Sequence, residues 1–212
     1  TKKDGQSPAN NKLVSASSTG ITAVNLIPDG SMELGTAANW ITETTNTTKT
    51  ELCSSAQEQI ARTGTHALQF KRDVSTSTTD TARIRHTGII LEGGTTYTLS
   101  AYVKANSQTV WGDNGKLTLC IYSNSGTEPA WKEIVLRTMP NSNIENGWQR
   151  VSMTFTPESD GMYQIGFSFS DFQGYMYVDD IQVEAASAPS TYNLVQNGSF
   201  EYGLTHWSYA SA

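Results

Sequence analysis

The stretch TTYTLSAYVKA at residues 95–105 alternates apolar and polar side chains. Leu99, Ala101 and Val103 occupy every second position of this stretch. Successive side chains of a β-strand point to opposite faces, so this period indicates a strand with one buried face. The same alternation recurs in residues 117–122, 151–156 and 163–169.

β-type segments separated by Gly- and Asn-containing turns run along most of the chain. The only competing helical candidate is SSAQEQIARTG at residues 54–64. Strands that follow one another without βα alternation indicate an all-β, two-sheet antiparallel β-sandwich of the jelly-roll type. The predicted strands are residues 66–73, 81–91, 95–105, 116–123, 133–139, 148–157, 162–171 and 175–184.

The composition limits the classes of partner. Net charge is −6 and the sequence pI is about 5.0, and no basic cluster is present of the kind that nucleic-acid binding needs. No apolar run is long enough to span a bilayer, so we expect no membrane insertion. The sequence starts without a signal peptide, and we therefore expect an excised fragment or a processed chain.

An internal repeat divides the chain. Residues 25–35 read NLIPDGSMELG and residues 193–203 read NLVQNGSFEYG, with six identical positions. Turn preferences alone account for the shared Gly and Ser but not for the shared Glu, so we interpret the match as a duplication. The predicted domains are a linker or end of a preceding domain at 1–24, a jelly-roll module at 25–187, and a linker with the truncated start of a second copy at 188–212.

The two cysteines, Cys53 and Cys120, are far apart in the sequence and lack the spacing of a zinc site. A disulfide would join distant strands, whereas two reduced thiols would be small core residues. We favour the reduced, buried state, because Cys120 lies in an apolar strand pattern.

Acidic residues mark both ends of the predicted module. Glu33 lies in the duplicated turn, and Asp179 and Asp180 adjoin at the start of the last apolar strand. If the first and last strands pair, these carboxylates meet, and hard oxygen ligands of this kind suit Ca²⁺. The alternative is that Asp179 and Asp180 accept hydrogen bonds from loop amides.

Five motifs, NLIPDGSME with a following Trp, TGTHALQF, TTYTLSAYVKA, GWQRVSMTFTP and YMYVDDIQVE, occur in this order. The ordered set resembles the carbohydrate-binding modules of families 4, 9, 16 and 22. The resemblance implies a galactose-binding-like β-jelly roll and a structural Ca²⁺ near the junction of the first and last strands. It also implies Glu33 and Asp180 as side-chain ligands, with Asp179 beside them. Further oxygens would come from Asp29 or Ser31 and from the stretch 63–66, for which we take Thr65.

Sugar recognition needs exposed aromatic rings that stack on pyranose faces and polar groups that bind hydroxyls. Alternation places Tyr102 and Tyr122 on outward faces, and Trp111 and Trp131 lie in loops around a predicted strand. The alternative is that each ring merely covers a sheet edge. The candidate ligand-binding residues are Trp111, Trp131, Tyr122, Tyr102, Phe172, Gln69, Arg83, Arg85 and Gln173.

The sequence gives little support for an enzymatic activity. A glycosidase needs two carboxylates that face each other across a cleft, and neighbours on a strand such as Asp179 and Asp180 should diverge. We therefore expect a non-catalytic module that binds polysaccharide or oligosaccharide in a secreted or surface multi-modular bacterial protein, beside other modules of the same polypeptide. The alternative is a structural or adhesive spacer that binds a protein partner or nothing.

Overall fold

A computed structural model describes residues 24–33, 39–44, 48–54, 60–72, 81–106, 109–123, 130–135 and 147–190. All regular elements within these ranges are strands, and none of the described residues belongs to a helix that is long and apolar enough to cross a membrane. The strands are β1 (Trp40–Thr44), β2 (Thr48–Ser54), β3 (His66–Arg72), β4 (Thr81–His86), β5 (Ile89–Leu91), β6 (Tyr97–Ala105), β7 (Val110–Ser123), β8 (Ala130–Val135), β9 (Gln149–Phe155) and β10 (Gly161–Glu184).

The strands form two antiparallel sheets that share β10. Sheet A has the order β1–β4–β10–β7–β8, and β5 also pairs with the start of β10. Sheet B has the order β2–β3–β10–β6–β9. Residues 161–173 of β10 lie in sheet A, and residues 174–184 lie in sheet B. The predicted two-sheet antiparallel sandwich is confirmed.

β10 changes sheets at a local break in its conformation. Asp171 has φ 51° and Gly174 has φ 112°, both in the left-handed region. Asp is among the few residues other than glycine that adopt this region readily. The pairing of β10 with β7 shifts register between Ser170 and Phe172, as expected of a β-bulge that bends a strand. The bend lets one strand serve both layers.

The core lies between the two sheets. Sheet A contributes Leu119 and Phe167, and sheet B contributes Leu68 and Phe70, at alternating positions of their strands. The Phe70 and Phe169 rings meet edge to face across the layers, with centroids 4.7 Å apart. Full burial of each large apolar side chain contributes about 1.5–3 kcal/mol, so this alternation is the main force that holds the two layers together.

Three differences from the predicted strands have physical explanations. The segments 162–171 and 175–184 form one continuous strand because the intervening residues bend rather than turn. β1 and β2 were not predicted, since their Thr-rich sequences lack apolar alternation. The helical candidate at 54–64 begins on the last residue of β2 and continues in bends from residue 62; residues 55–59 lie outside the described ranges.

The segment 25–33 lies along the end of β10. The Asn25 side chain donates to the carbonyl oxygen of Ile181 (2.8 Å) and accepts from the amide of Val183 (3.0 Å). The Ile181 amide donates to the Gly30 carbonyl at 2.7 Å. A Cβ at Gly30 would overlap the Ile181 carbonyl oxygen, so only glycine allows this approach. Segment 25–33 therefore lies against the last strand, although it forms no strand itself.

Candidate functional site

Polar side chains from three strands meet on the outer face of sheet A. Arg83 and Arg85 extend from β4, Tyr122 from β7 and Gln164 from β10, each at a position that alternates with core residues. The Arg85 guanidinium donates to Gln164 Oε1 at 2.8 Å. The guanidinium carbons of Arg83 and Arg85 lie 5.8 and 5.3 Å from the centre of the Tyr122 ring, within the range of cation–π attraction.

Small residues on the central strand make room for this group. Gly166 of β10 pairs with Arg85 on one side and with Cys120 on the other. A Cβ at Gly166 would lie 3.1 Å from Arg85 Cγ and 3.2 Å from Cys120 Sγ. The next outward positions of β10 are Ser168 and Ser170. The longer side chains of β4 and β7 therefore have room to extend over β10.

Tyr122 is less accessible than the sequence predicts. Its side chain is on the outer face, as expected, but only 4% of the residue is exposed. The buried Cys120 thiol donates to the Tyr122 hydroxyl oxygen at 3.0 Å, which agrees with a reduced, buried Cys120. The ring thus supports the arginines rather than presenting an open stacking platform. The side chain of Cys53 lies outside the described part of the structure.

Phe172 was predicted as an exposed platform, but it is fully buried. Its ring packs on Phe169 and Trp111, each at a centroid distance of 6.1 Å. The bulge at Asp171 reverses the alternation of β10, so an even-numbered residue turns inward after a run of odd-numbered core residues. Trp111 was predicted in a loop but belongs to β7, where it is half-buried against the same core, and Gln173 is exposed beside it.

Two further predicted residues lie on the opposite side of the sandwich. Tyr102 is half-buried on the outer face of sheet B, where its ring contacts the guanidinium groups of Arg62 (3.6 Å) and Arg150 (5.6 Å). Gln69 is buried opposite Tyr177 on the same face. The predicted sugar contacts therefore do not form one site.

Trp131 was predicted in a loop but belongs to β8, where its backbone is in register with Cys120. The described part of the structure does not include its side chain. Its predicted role stays a prediction.

A second polar region lies at the junction of segment 25–33 with β10. The Glu33 Oε1 atom accepts hydrogen bonds from the amides of Thr65 and His66, both at 2.8 Å, and Oε2 accepts one from the Thr65 hydroxyl at 3.1 Å. Gly64 lies directly under this carboxylate, where a Cβ would overlap it. The glutamate therefore fixes the conformation of the loop at residues 62–66.

Asp179 holds the same loop through its backbone. Its carboxylate accepts from the amides of Arg62 (2.8 Å), Thr63 (3.2 Å) and Asp180 (2.7 Å). Burial raises the pKa of the Asp179 carboxyl to about 8, and the charge of Asp180 adds to this shift, whereas the three amides oppose it. Asp179 therefore behaves as the alternative to metal ligation predicts, because it accepts hydrogen bonds from loop amides.

Asp180 contacts the loop through side chains. It accepts from the Thr63 hydroxyl at 2.6 Å and forms an ion pair with the Arg62 guanidinium. Asp180 has φ 51°, and β10 shifts register against β6 between Asp179 and Gln182. This bulge brings two consecutive carboxylates to one loop, which corrects the expectation that neighbouring aspartates on a strand diverge.

The carboxylates fit a calcium ion only in part. No group of three or more His, Cys, Asp or Glu side chains in the described residues is close enough to hold a metal. Amide donors already surround Asp179, and Asp180 is paired with Arg62. Asp29 and Ser31 are buried nearby in the segment that carries Glu33. Calcium at this junction would therefore need backbone oxygens beside Glu33 and Asp180, and Arg62 would have to release Asp180.

Two solved structures share the fold. One is TmCBM61 in complex with β-1,4-galactotriose, with a TM-score of 0.54 at 15% identity over 77% of this chain and 100% of that one. The other is the CBM22-1 xylan-binding domain of Xyn10C from Paenibacillus barcinonensis, with a TM-score of 0.50 at 14% identity over 81% and 100%. At such identities the likeness shows the fold alone.

A sequence relative and a family match complete the comparison. The chain is 24% identical to the tRNA nuclease WapA of Bacillus subtilis over 208 residues, which are 90% of this chain but only 8% of that protein. Residues 24–167 match the family described as "Carbohydrate binding domain". The match spans more than half of the sequence, and the chain belongs to this family of carbohydrate-binding domains.

Proposed function

We propose that the protein binds a polysaccharide or oligosaccharide on the outer face of sheet A, through Arg83, Arg85 and Gln164. The observation that carries the proposal is that two arginines on one strand are held over the Tyr122 ring and beside a glutamine of the next strand. A guanidinium presents several N–H donors in a fixed plane, which suits the hydroxyl oxygens of a sugar. Because the ring already orders the arginines, binding loses little side-chain entropy.

The outer face of sheet B is a poorer candidate. The Arg62 guanidinium over Tyr102 is already paired with Asp180. The end of β10 on this face is covered by the following residues, since Ser190 donates to both carboxylate oxygens of Glu184 (2.6 Å each). The ion pair and this cover leave less of the sheet B face for a ligand.

Affinity electrophoresis and calorimetry with β-1,4-galactan, xylan and a glycan array test the proposal. The arrangement predicts that the Arg83→Ala and Arg85→Ala variants each bind at least about tenfold more weakly, a loss of about 1.4 kcal/mol. Arg150→Ala is the matched control, because it removes an arginine over a tyrosine on the opposite face. If Arg150→Ala loses as much sugar affinity as the sheet A variants, the binding site lies on sheet B. No binding of the folded protein to any glycan would refute the function.

The module is proposed to be non-catalytic. The carboxylates at the junction accept hydrogen bonds from loop amides and hydroxyls and do not face each other across a cleft. Each thus has a structural partner, whereas glycoside hydrolysis needs one carboxylic acid and one carboxylate on either side of the sugar. Incubation with the bound glycan should release no reducing ends.

A spacer role is the second candidate. The chain spans about 8% of the curated relative's length, and residues 193–203 repeat residues 25–35. Both observations favour one module among others in a long bacterial polypeptide, which we propose to be secreted or attached to the cell surface. If neither sheet face binds any glycan, this role replaces sugar binding.

Calcium is proposed as a structural ion at the junction, with Glu33 and Asp180 as side-chain ligands. Support comes from three carboxylates that contact one five-residue loop. When bound, the ion would neutralise these charges and link segment 25–33 to β10. A ligand at about 100 times its dissociation constant stabilises the native state by about 2.7 kcal/mol. A melting temperature that does not change on chelation would refute the ion.

A further inference from the structure

The outer face of sheet A continues beyond Gln164 as an apolar surface. Met162 is the next outward position of β10, because the side chains of a strand alternate between its two faces. Ile90 of β5 lies directly opposite Met162 in the antiparallel register, and directly opposed side chains share a face. Ile90 is 71% exposed and Met162 is 43% exposed. These two side chains form an aliphatic patch that borders the proposed saccharide site.

The connection between β4 and β5 holds Met162 in place. A Cβ at Gly88 would lie 2.7 Å from both Cγ and Sδ of Met162, so the methionine side chain lies flat over this glycine. Gly88 has φ 148°, in the region that favours glycine. The same connection contacts Gln164, whose Nε2 donates to the Thr87 carbonyl oxygen at 3.5 Å. One short segment therefore positions both a polar contact of the proposed saccharide site and the aliphatic patch beside it.

A saccharide site needs apolar as well as polar contacts, because a sugar ring has polar edges and apolar faces of C–H groups. Arg83, Arg85 and Gln164 supply polar contacts on this face. The Tyr122 ring that supports the arginines is only 4% exposed, so it offers little apolar surface to a ligand. The aliphatic patch lies one outward position from Gln164 and therefore supplies the apolar contact that the buried ring cannot.

We propose that Met162 and Ile90 form an apolar subsite for a saccharide chain that runs along β10. This inference rests on the saccharide site proposed above. Ser168 is in register with Arg83, and the outward positions from Ser168 to Met162 span about 20 Å at the rise of a β-strand. The ligand is therefore a chain of several sugar units, and one unit lays its apolar C–H face on the aliphatic patch.

Calorimetry with oligosaccharides of two lengths tests the subsite. The probes are the disaccharide and the hexasaccharide of β-1,4-linked galactose and of β-1,4-linked xylose. The wild type should bind a hexasaccharide at least about tenfold more tightly than the disaccharide of the same series, because only the longer chain spans the arginines and the patch. The Ile90→Ala and Met162→Ala variants should each bind the hexasaccharide about threefold more weakly, since each loses roughly one buried CH₂ group of contact. Their affinity for the disaccharide should not change.

Val110→Ala is the matched control, since it removes an exposed aliphatic side chain in register with Gln173, at the other end of the sheet A part of β10. The Met162 methyl resonance should shift on titration of the wild type with the hexasaccharide. Wild-type hexasaccharide affinity in both patch variants would overturn the subsite, while Arg83→Ala, measured in parallel, reports on the saccharide site alone. If the wild type binds neither series and no glycan of an array, the subsite and the saccharide site are overturned together.

Discussion

The outer face of sheet A and the junction at segment 25–33 both contain several ionisable side chains. The two regions differ in the groups that contact these side chains. At the junction, Glu33 and Asp179 accept hydrogen bonds from backbone amides of one loop. On sheet A, Arg83 and Arg85 are held by the Tyr122 ring. Carboxyl groups that accept hydrogen bonds from backbone amides hold the loop to β10. The arginines that the ring supports are the proposed saccharide contacts, and the following variants test this contrast.

Asp179→Ala should have the largest effect on stability. It leaves the amides of Arg62, Thr63 and Asp180 without their acceptor, and each unsatisfied buried group costs about 1–3 kcal/mol. For a protein of this size the melting temperature should fall by about 10 °C, as measured by calorimetry. Asp160→Ala is the control, because that exposed side chain accepts from the single amide of Gly93. If Asp179→Ala melts at the same temperature as the wild type, Asp179 does not anchor the loop.

His86 makes the stability of sheet A depend on pH. Burial lowers the pKa of this histidine to about 4, and its Nδ1 accepts from the Gly88 amide. The folded state then binds fewer protons than the unfolded state between pH 4 and 6.5. The contribution of His86 to the free energy of unfolding is therefore fully present above pH 6.5. At pH 5 it is lower by about 2 kcal/mol.

Denaturant unfolding of the wild type and His86→Gln from pH 7 to pH 4.5 measures this dependence. The wild type should lose more stability than the variant as the pH falls. Parallel pH profiles would show that the imidazole titrates normally in the folded protein.

Gly166→Ala should affect the saccharide face with a smaller cost in stability. The new Cβ would lie 3.1 Å from Arg85 Cγ, so the arginine stem must move. We expect several-fold weaker sugar binding and a loss of about 1 kcal/mol in stability. Ser168→Ala, at the next outward position, is the control for binding. If Gly166→Ala binds the sugar with wild-type affinity, Arg85 does not contribute to the sugar site.

Ser190→Ala should have the smallest effect. It removes the hydroxyl that donates to Glu184 and accepts from Gln182 (3.0 Å), at a cost of about 1 kcal/mol or less. Limited proteolysis should cut the stretch 186–190 faster, while the melting temperature changes little. Unchanged proteolysis would show that the backbone bond from the Ser190 amide is sufficient.

Much of the fold follows from alternation in the sequence. β6 and β9 were predicted because one face of each strand is continuously apolar, and burial of that face fixes the register. The same rule correctly puts Arg83 and Arg85 on one face. It fails for Phe172, because a left-handed Asp171 inserts a bulge that no apolar pattern reveals.

The junction was predictable only in part. The repeat identified Glu33, and the adjoining pair identified Asp179 and Asp180, but the sequence does not show the bulge that turns both aspartates to one loop. It also gives no sign that Arg62, remote in the chain, supplies the positive partner of Asp180. Long-range contacts of this kind depend on how strands pair, which local patterns do not encode.

A saccharide on the outer face of sheet A would change the environment of β4, β7 and β10. Amide chemical-shift mapping by NMR during titration with a bound oligosaccharide measures this change residue by residue. We expect the largest shifts at Arg83, Arg85, Tyr122 and Gln164. Shifts that concentrate instead at Tyr102 and Gln69, on the opposite sheet, would contradict the sheet A site.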